Sequence, residues 1–573
     1  MSTVDRFIEE NFGKIQKKES VQELWSGYGE IERISIAENQ PSSLIVKNIS
    51  FPKPATHPKG WNTSFSHKRK LRSYEVEMCW YETYANELRS ARVPKSYSTQ
   101  KSSNNSFIIM EDLDSSGFNK RLDKANIEQM KPCLEWLARF HAHYLGRSPD
   151  GLWETGSYWH LKTRPEELEK TSCPRTRTTA SLIDKKLLNA KFQTIIHGDA
   201  KLANFCFSKD LQLAAAVDYQ YVGRGCGMRD LAYFVSSCLN SEDCLKHEAK
   251  VLSIYFKCLR DSIPQDSDID INALEKEWRE LYPYAWADFY RFLAGWSPNH
   301  WKLHSYSQAI ATNVQEEVLT ELTKVAAEAA HAAGRIIQDS KKFSIFKKNA
   351  TSTASEVVTD VDFQAQESIL RALSKTIVEF DFGVLSEELK DEKTRFIKDY
   401  FWCIDPLDGT LPFTKDLPGH AVSISLVDVY GTPIIGVVYD PVDDNIYHAT
   451  ISGGSFKNKE QIRLAQRENG RSILYADLSL KNEEKFSELC EKYEICFGAG
   501  AVMNSIYCLE NAPATYLKLP KSSPGGGSIW DFAAVSLIIN EAGGSATDYF
   551  GTPLDLNRKD STFLNHRGIL IKT

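Results

Sequence analysis

Trp402-Cys403-Ile404-Asp405-Pro406-Leu407-Asp408-Gly409-Thr410 is the stretch that decides how the second half of this chain folds. An apolar run ends in a pair of aspartates, a glycine and a threonine. Taken alone, the segment is compatible with an acidic turn. Its context is more specific. Ser386-Glu387-Glu388 stands upstream, and Ile529-Trp530-Asp531-Phe532-Ala533-Ala534 downstream. Val358-Thr359-Asp360-Val361-Asp362 and Glu541-Ala542-Gly543-Gly544 extend the pattern in both directions. Val314 to Ile337 reads as an Ala-rich amphipathic helix, and strands and helices alternate from there to the end, as in an α/β domain. The change of texture places a domain boundary between Ser305 and Asn313, in a short polar stretch.

These motifs together resemble the lithium-sensitive inositol monophosphatase superfamily, which includes fructose bisphosphatases and bisphosphate nucleotidases. The resemblance covers nearly all of residues 313–573 and implies an α/β fold layered α/β/α/β/α. Motif by motif, it implies that Glu387, Asp405, Asp408 and Asp531 are side-chain ligands of Mg2+, with the carbonyl of Leu407 a backbone ligand. The residue types suit the ion, which takes oxygen ligands and keeps some waters. Two or more such ions can neutralise a phosphate, activate a water and stabilise the leaving oxygen. Thr410 and Asp362 match the pair that orients and deprotonates that water, and Gly409 and Thr410 should offer backbone N–H groups to the phosphate. Ser386-Glu387-Glu388 and Gly551-Thr552-Pro553-Leu554 lean toward the bisphosphate nucleotidase branch. Leu411-Pro412-Phe413 and Ala501 depart from the usual pattern, which leaves the substrate open.

The first half carries a different chemistry. His197-Gly198-Asp199-Ala200-Lys201-Leu202-Ala203-Asn204 follows an apolar segment, and Val217-Asp218-Tyr219-Gln220 follows another. Two carboxylates and a carboxamide at strand ends are what a kinase site needs. One Asp accepts the proton of the substrate hydroxyl, while the Asn and the second Asp hold magnesium against ATP. The spacing from Asp199 to Asn204 equals that of the protein-kinase catalytic loop. Glycine in place of arginine resembles the aminoglycoside phosphotransferase and choline kinase superfamily. Within it, Ser73-Tyr74-Glu75-Val76-Glu77 and Ala285-Trp286-Ala287-Asp288-Phe289 resemble the ecdysteroid-kinase-like branch. The resemblance implies that Lys47 pairs with ATP phosphates and that Glu77 holds that lysine, although Glu75 lies on the same helix. It also implies that Glu111-Asp112-Leu113 forms the adenine hinge and that Asp230 braces the catalytic loop. The expected architecture is an α+β two-lobed kinase-like domain over residues 1–308, followed by the layered phosphatase-like domain over 313–573. A bifunctional enzyme follows; the alternative is that one half serves the other as a silent binding module.

Composition narrows the rest. A net charge of -7 disfavours a general nucleic-acid binder, and the basic stripe His67-Lys68-Arg69-Lys70-Leu71-Arg72 reads as a solvated helix face. No stretch reaches the roughly 18 apolar residues of a membrane helix. The 12 cysteines contain no Cys-x-x-Cys pair, and none accompanies His141 and His143, so neither zinc nor a disulfide scaffold is expected. The expected setting is cytoplasmic, with small-molecule substrates and neither nucleic acid nor membrane as partner. A homodimer through the second half is compatible with the resemblance.

Overall fold

The computed structural model describes residues 3–24, 27–37, 41–50, 64–101, 105–347, 357–464, 472–523, 525 and 527–573. The chain divides into two compact units: residues 1–172 with 183–314, and 173–182 with 315–573.

The first unit opens on an antiparallel sheet whose strands run in the order Ile15–Glu23, Gly29–Ile36, Ser43–Ser50, Asn105–Glu111 and Ser96–Gln100. Alternation along Ser43–Ser50 decides what each face does. Leu44 and Val46 pack with Ile34, Ile36, Phe107 and Ile109 in one cluster. Lys47 therefore belongs to the opposite face with Ile45. The helix expected to carry both Glu75 and Glu77 is Ser64–Cys79, which continues as a wider π turn, Trp80–Tyr84. The rest of the unit is largely helical. Ile127–His143 is started by an Asn126–Gln129 capping box, and Met228–Cys238, Ser241–Ser262 and Ile271–Trp296 follow. Two short ribbons, Thr194–Ile196 with Gly223–Gly225 and Phe205–Phe207 with Ala214–Ala216, hold the loop between His197 and Asn204.

The second unit stacks two sheets. The first follows chain order from Gly383–Ser386 through Tyr400–Asp408, Ala421–Asp428 and Pro433–Asp440 to Glu460–Gln461, parallel in its first pair and antiparallel after it. The second runs Tyr493–Cys496, Ser472–Ala476, Ala514–Lys518, Ile569–Lys572, Ser545–Thr547. Helices Ala501–Glu510 and Ile529–Glu541 fill the space between them. Phe401 and Val438 of one sheet, Ile506 and Val535 of the helices, and Tyr516 and Ile571 of the other sheet share one buried core. Helix Asp360–Phe380 covers the outer face of the first sheet, where Trp402 Nε1 donates to Thr376 Oγ1 at 3.1 Å. Phe486 and Leu489 cover the outer face of the second. The layers are α/β/α/β/α.

Two expectations need correction. The boundary stretch between Ser305 and Asn313 is not a polar linker; it is the start of one continuous helix, Ser305–Asp339, which also contains the expected Val314–Ile337. Its alanines and interleaved polar residues sustain helical spacing straight through the change in texture. Residues 173–182 belong to the second unit rather than the first. There the hydroxyl of buried Tyr400 donates to the carbonyl of Thr178. Tyr400→Phe would remove that extra hydrogen bond from a carbonyl of helix Pro174–Leu188, a net cost of about 1 kcal/mol. A drop of roughly 2–4 °C in the melting of this unit is the expected result by calorimetry. Unchanged melting would mean that the segment contributes nothing.

Candidate active sites

The acidic site of the second unit is built by a strand irregularity. In a regular strand, residues three apart point to opposite faces. Between Asp405, opposite Ser423, and Asp408, opposite Ala421, the register shifts by one residue. Such a bulge re-aims side chains, and Pro406 is tolerated there because a ladder bond is already lost. Both carboxylates thereby reach the same end of the sheet. Parallel pairing of Ser386 with Ile404 then sets Glu387 beside Asp405, and a hydrogen bond links the two carboxyl groups. Asp531 arrives from the first turn of helix Ile529–Glu541, where it accepts from the backbone N–H of Ser528 at 3.0 Å.

Carboxylate oxygens of Asp405, Asp408 and Asp531 all lie within 4.8 Å of one another. Asp408 also accepts the N–H groups of Ala501 and Val502 at 3.1 and 2.9 Å, at the start of a helix. Burial, then the charges of Glu387, Asp408 and Asp531, push the Asp405 carboxyl well above the carboxylate range. Asp408 is pushed up to about 8 by burial and Asp531, and Asp531 to about 7 by burial, against the pull of Lys518. Carboxylates crowded in this way call for a counter-charge. An all-oxygen donor set is the chemistry of a hard divalent cation, so the residues fit Mg2+.

Next to this cluster, Asp362 and Thr410 meet. Thr359 caps helix Asp360–Phe380, and its N–H and hydroxyl both donate to Asp362 Oδ2, at 2.8 and 2.6 Å. Asp362 Oδ1 faces the Thr410 hydroxyl at 3.1 Å, and the Leu407 carbonyl lies 3.1 Å from the same hydroxyl. Its single proton serves one of them at a time. Gly409 adopts φ +80° and opens a helix of only five residues, Thr410–Thr414.

In the first unit, Lys47 Nζ donates to both oxygens of Glu77, at 2.9 and 2.7 Å, and lies 3.5 Å from Asp218 Oδ1. Glu75 is the exposed alternative and pairs with Lys101. Burial works against the Lys47 charge, but Glu77 and Asp218 outweigh it and hold the ammonium above its usual range. Glu77 is raised by burial and Asp218 beyond what Lys47 takes away. Asp218 is held low against burial by Lys47, Lys201 and Lys70. Asn204 Nδ2 donates to Asp199 Oδ2 at 3.1 Å, and Lys201 donates to the same oxygen at 3.0 Å. Gly198 has φ +76°, and a Cβ there would lie 2.0 Å from the Tyr221 carbonyl oxygen, so no larger residue fits between His197 and Asp199. Asp230 accepts the N–H groups of His197 and Gly198 at 2.6 and 2.9 Å and fixes the loop.

Lys47, Glu77, Asn204 and Asp218 line a cleft of about 550 Å³ whose wall includes Glu111, Asp112 and Leu113. The Glu111 carboxylate is engaged by Arg92 and by the N–H of Lys95, so of the expected hinge only backbone and the buried Leu113 remain as cleft wall.

Sequence reasoning missed several residues. The stripe His67–Arg72 is not a solvated face. Arg69 is buried on the Thr163 carbonyl at 2.8 Å, and Lys70 reaches Gln220 at 2.9 Å in the cleft wall. The three-residue step from Arg69 to Arg72 held no signal for this. Lys518, paired with Asp477 at 2.8 Å and within the field of Asp531 and Asp408, had none either. Lys47→Met should lower the stability of the first unit by about 3–5 kcal/mol, because Glu77 is left buried beside Asp218 without its cation. Denaturant titration followed by tryptophan fluorescence checks this, and a loss below 1 kcal/mol (about one surface salt bridge) would contradict it.

Residues 318–571 match the inositol monophosphatase family. Inositol monophosphatase 1 of Rattus norvegicus is 30% identical over 241 residues, 40% of this chain and 83% of that one. The chain belongs to the inositol monophosphatase family. The 3'(2'),5'-bisphosphate nucleotidase CysQ of Buchnera aphidicola is 29% identical over 249 residues, covering 42% of this chain and 89% of its own. A solved structure of CysQ from Bacteroides thetaiotaomicron, described as a bacterial member of this family, covers 44% of this chain and 97% of its own, at 25% identity and a TM-score of 0.36. Enzymes of the family are Mg-dependent phosphatases. Outside the family domain, residues 40–146 match the ecdysteroid kinase-like family, which takes in Lys47, Glu77, Glu111 and Leu113. A third family model, described as "uncharacterized oxidoreductase dhs-27", matches residues 175–325. Among the described residues, no helix is long and apolar enough to cross a membrane.

Proposed function

We propose that the second unit hydrolyses a phosphomonoester of a nucleotide or polyol, such as a 3'(2'),5'-bisphosphate nucleotide or an inositol monophosphate, the substrates that its relatives' names carry. The observation that carries this reading is the convergence of Asp405, Asp408 and Asp531 beside the Asp362–Thr410 pair. Glu387, Asp405, Asp408, Asp531 and the Leu407 carbonyl would hold Mg2+. When bound, it supplies Lewis-acid charge against the phosphate oxygens. The chain does the rest. Thr410 and Asp362 take a proton from the attacking water. The water oxygen bonds to phosphorus, the ester P–O bond breaks, and the leaving oxygen takes up a proton from solvent. Lys518, close to the acidic cluster, adds a fixed positive charge at the rim. The test is a panel of adenosine bisphosphate, inositol monophosphates and fructose bisphosphate, assayed with and without Mg2+. No Mg-dependent release of phosphate from any of them would sink the reading.

The first unit supports a second activity, transfer of the γ-phosphoryl group of ATP to a small alcohol on a kinase-like fold. What favours it is the Lys47–Glu77 pair meeting Asp218 in a cleft that Lys70 and Lys201 also enter. Lys47, Lys70 and Lys201 interleaved with Glu77, Asp199 and Asp218 suit a metal-bound polyphosphate better than a neutral ligand. Asp199 would accept the proton of the acceptor hydroxyl. Asn204 and Asp218 would hold Mg2+ against the phosphates. Binding of ATP to the intact protein, lost in Lys47→Met, tests this half.

A further inference from the structure

In kinases a glycine-rich loop covers the phosphates of the nucleotide. The turn between Ile15–Glu23 and Gly29–Ile36 stands at that place in the chain, but its glycines serve the turn itself. Gly29 lies against the neighbouring strand, where a Cβ would meet the Asn48 carbonyl oxygen at 2.0 Å. The Gly27 N–H donates to the Leu24 carbonyl at 3.2 Å, and the Leu24 N–H to the Gly29 carbonyl at 2.8 Å, so the turn closes on itself. The Tyr28 hydroxyl is hydrogen-bonded to His67 Nδ1, on helix Ser64–Cys79. On this side the cleft is walled by Val21, Gln22, Leu24 and Ile31, not by Gly27 or Gly29.

The same helix brings a cation to the cleft. Lys70, Tyr74 and Glu77 follow one another at steps of four and three residues, so they share one helix face. Lys70 lines the cleft together with Lys47 and Lys201. The three lysines differ in what they have left to donate. Lys47 directs its three N–H groups to both oxygens of Glu77 and to Asp218. Lys201 donates to the Asp199 carboxylate. Lys70 donates to a neutral acceptor, Gln220 Oε1, at 2.9 Å, and its ammonium lies 4.6 Å from the centroid of the Tyr74 ring. Gln220 Oε1 also accepts from the Ser73 hydroxyl at 3.3 Å, which fixes its direction. Among the described residues, Lys70 has no carboxylate partner, so two N–H groups and an uncompensated charge remain on it. Burial, then the charge of Lys47, pulls its ammonium down to about 8, and an anion in the cleft offsets both.

We propose that Lys70 is the phosphate-covering group of the first unit, a side-chain donor that takes the place of a glycine-rich loop and contacts the phosphate chain of a nucleoside di- or triphosphate. The proposal rests on the phosphotransferase reading of this cleft. Gln220 holds the ammonium in position, and its two remaining N–H groups donate to phosphate oxygens. Lys47, held on Glu77, acts on the phosphates chiefly by its charge. The turn that carries Gly27 and Gly29 stays clear of them.

The test measures binding of ATP, ADP and adenosine to the full-length protein by calorimetry in the presence of Mg2+. Wild type is compared with Lys70→Met, Lys70→Arg and Gly27→Ala. Lys70→Met is expected to weaken ATP and ADP roughly tenfold to a hundredfold, as loss of a charge-assisted hydrogen bond does, and to leave adenosine within about twofold. Lys70→Arg, which keeps the charge, should recover most of that loss. Gly27→Ala should leave the affinity for ATP close to that of wild type, since nothing lies within 4 Å of a Cβ there. A Lys70→Met protein with wild-type affinity for ATP overturns the proposal. So does one that loses adenosine as much as ATP, because the lost contact is then not to phosphate. Gly27→Ala that loses ATP as severely as Lys70→Met puts the turn over the phosphates and overturns it too. In all three cases wild type still binds ATP, and the phosphotransferase reading stands. A wild-type protein that binds neither ATP nor ADP sinks that reading, and the proposal with it.

Discussion

Asp405→Asn is expected to lower phosphomonoester hydrolysis by about 10²–10⁴ and to raise the stability of the protein in the absence of Mg2+. Removing one charged ligand takes several kcal/mol from the stabilisation that a bound divalent ion gives, which is two to four decades of rate. The second effect has the opposite sign for an electrostatic reason. Asp405 is buried against Glu387 and shares a space of 4.8 Å with Asp408 and Asp531. Without a cation these groups repel, and a neutral amide of the same shape relieves one member. The wild-type melting temperature should therefore rise on adding Mg2+ more than that of the variant. High Mg2+ should restore part of the lost activity, since one ligand oxygen stays in place. Lithium should inhibit this hydrolysis and leave any ATP-dependent transfer untouched, as the family resemblance implies. Calorimetry with and without Mg2+, with phosphate release under the same conditions, measures both effects. A variant that keeps its rate, or that melts lower than wild type without Mg2+, would show that Asp405 is an ordinary structural carboxylate.

What the sequence disclosed follows from how each residue acquires its role. Asp405 and Asp408 were legible because their spacing, with Glu387 before and Trp530-Asp531 after, has few other uses. The bulge that turns both carboxylates to one end of the sheet could not be read, since it depends on register against Ser423 and Ala421. Glu77 could not be separated from Glu75 by spacing alone; the geometry separates them, because only Glu77 is buried against Lys47. Lys70 and Lys518 went unread for one reason. A lysine in sequence carries no mark of where its long side chain ends, and surface is its usual place. Helix Ser305–Asp339 hid the boundary in the same way. Helical periodicity reports which residues share a face, not which unit that face packs on. Residues 173–182 return to the second unit from far away in the chain, which no local pattern announces.

Asp199→Ala is expected to reduce ATP-dependent phosphorylation by about 10²–10⁴ while phosphate-ester hydrolysis stays within a few-fold of wild type. A lost general base costs that much in rate. The structure adds a second contribution, because Asp199 also positions its neighbours. Its Oδ2 accepts from Asn204 and Lys201, so truncation frees both the carboxamide proposed to hold Mg2+ and a lysine of the phosphate cleft. Asp199→Asn separates the two contributions. Its side-chain oxygen can still accept one of those bonds, so ATP affinity should survive, while the proton has nowhere to go and transfer should remain as slow as in the alanine variant. Hydrolysis is insulated because the acidic cluster of the second unit draws its ligands from strands and helices between residues 387 and 531, none of which involves Asp199. ATP affinity by calorimetry, transfer and hydrolysis, each measured on wild type and both variants, make the check. Transfer that persists in Asp199→Asn would remove Asp199 from the chemistry. Hydrolysis that falls in parallel with transfer in a folded Asp199→Ala protein would mean that the two reactions share a site, and the two-enzyme reading would fail with it.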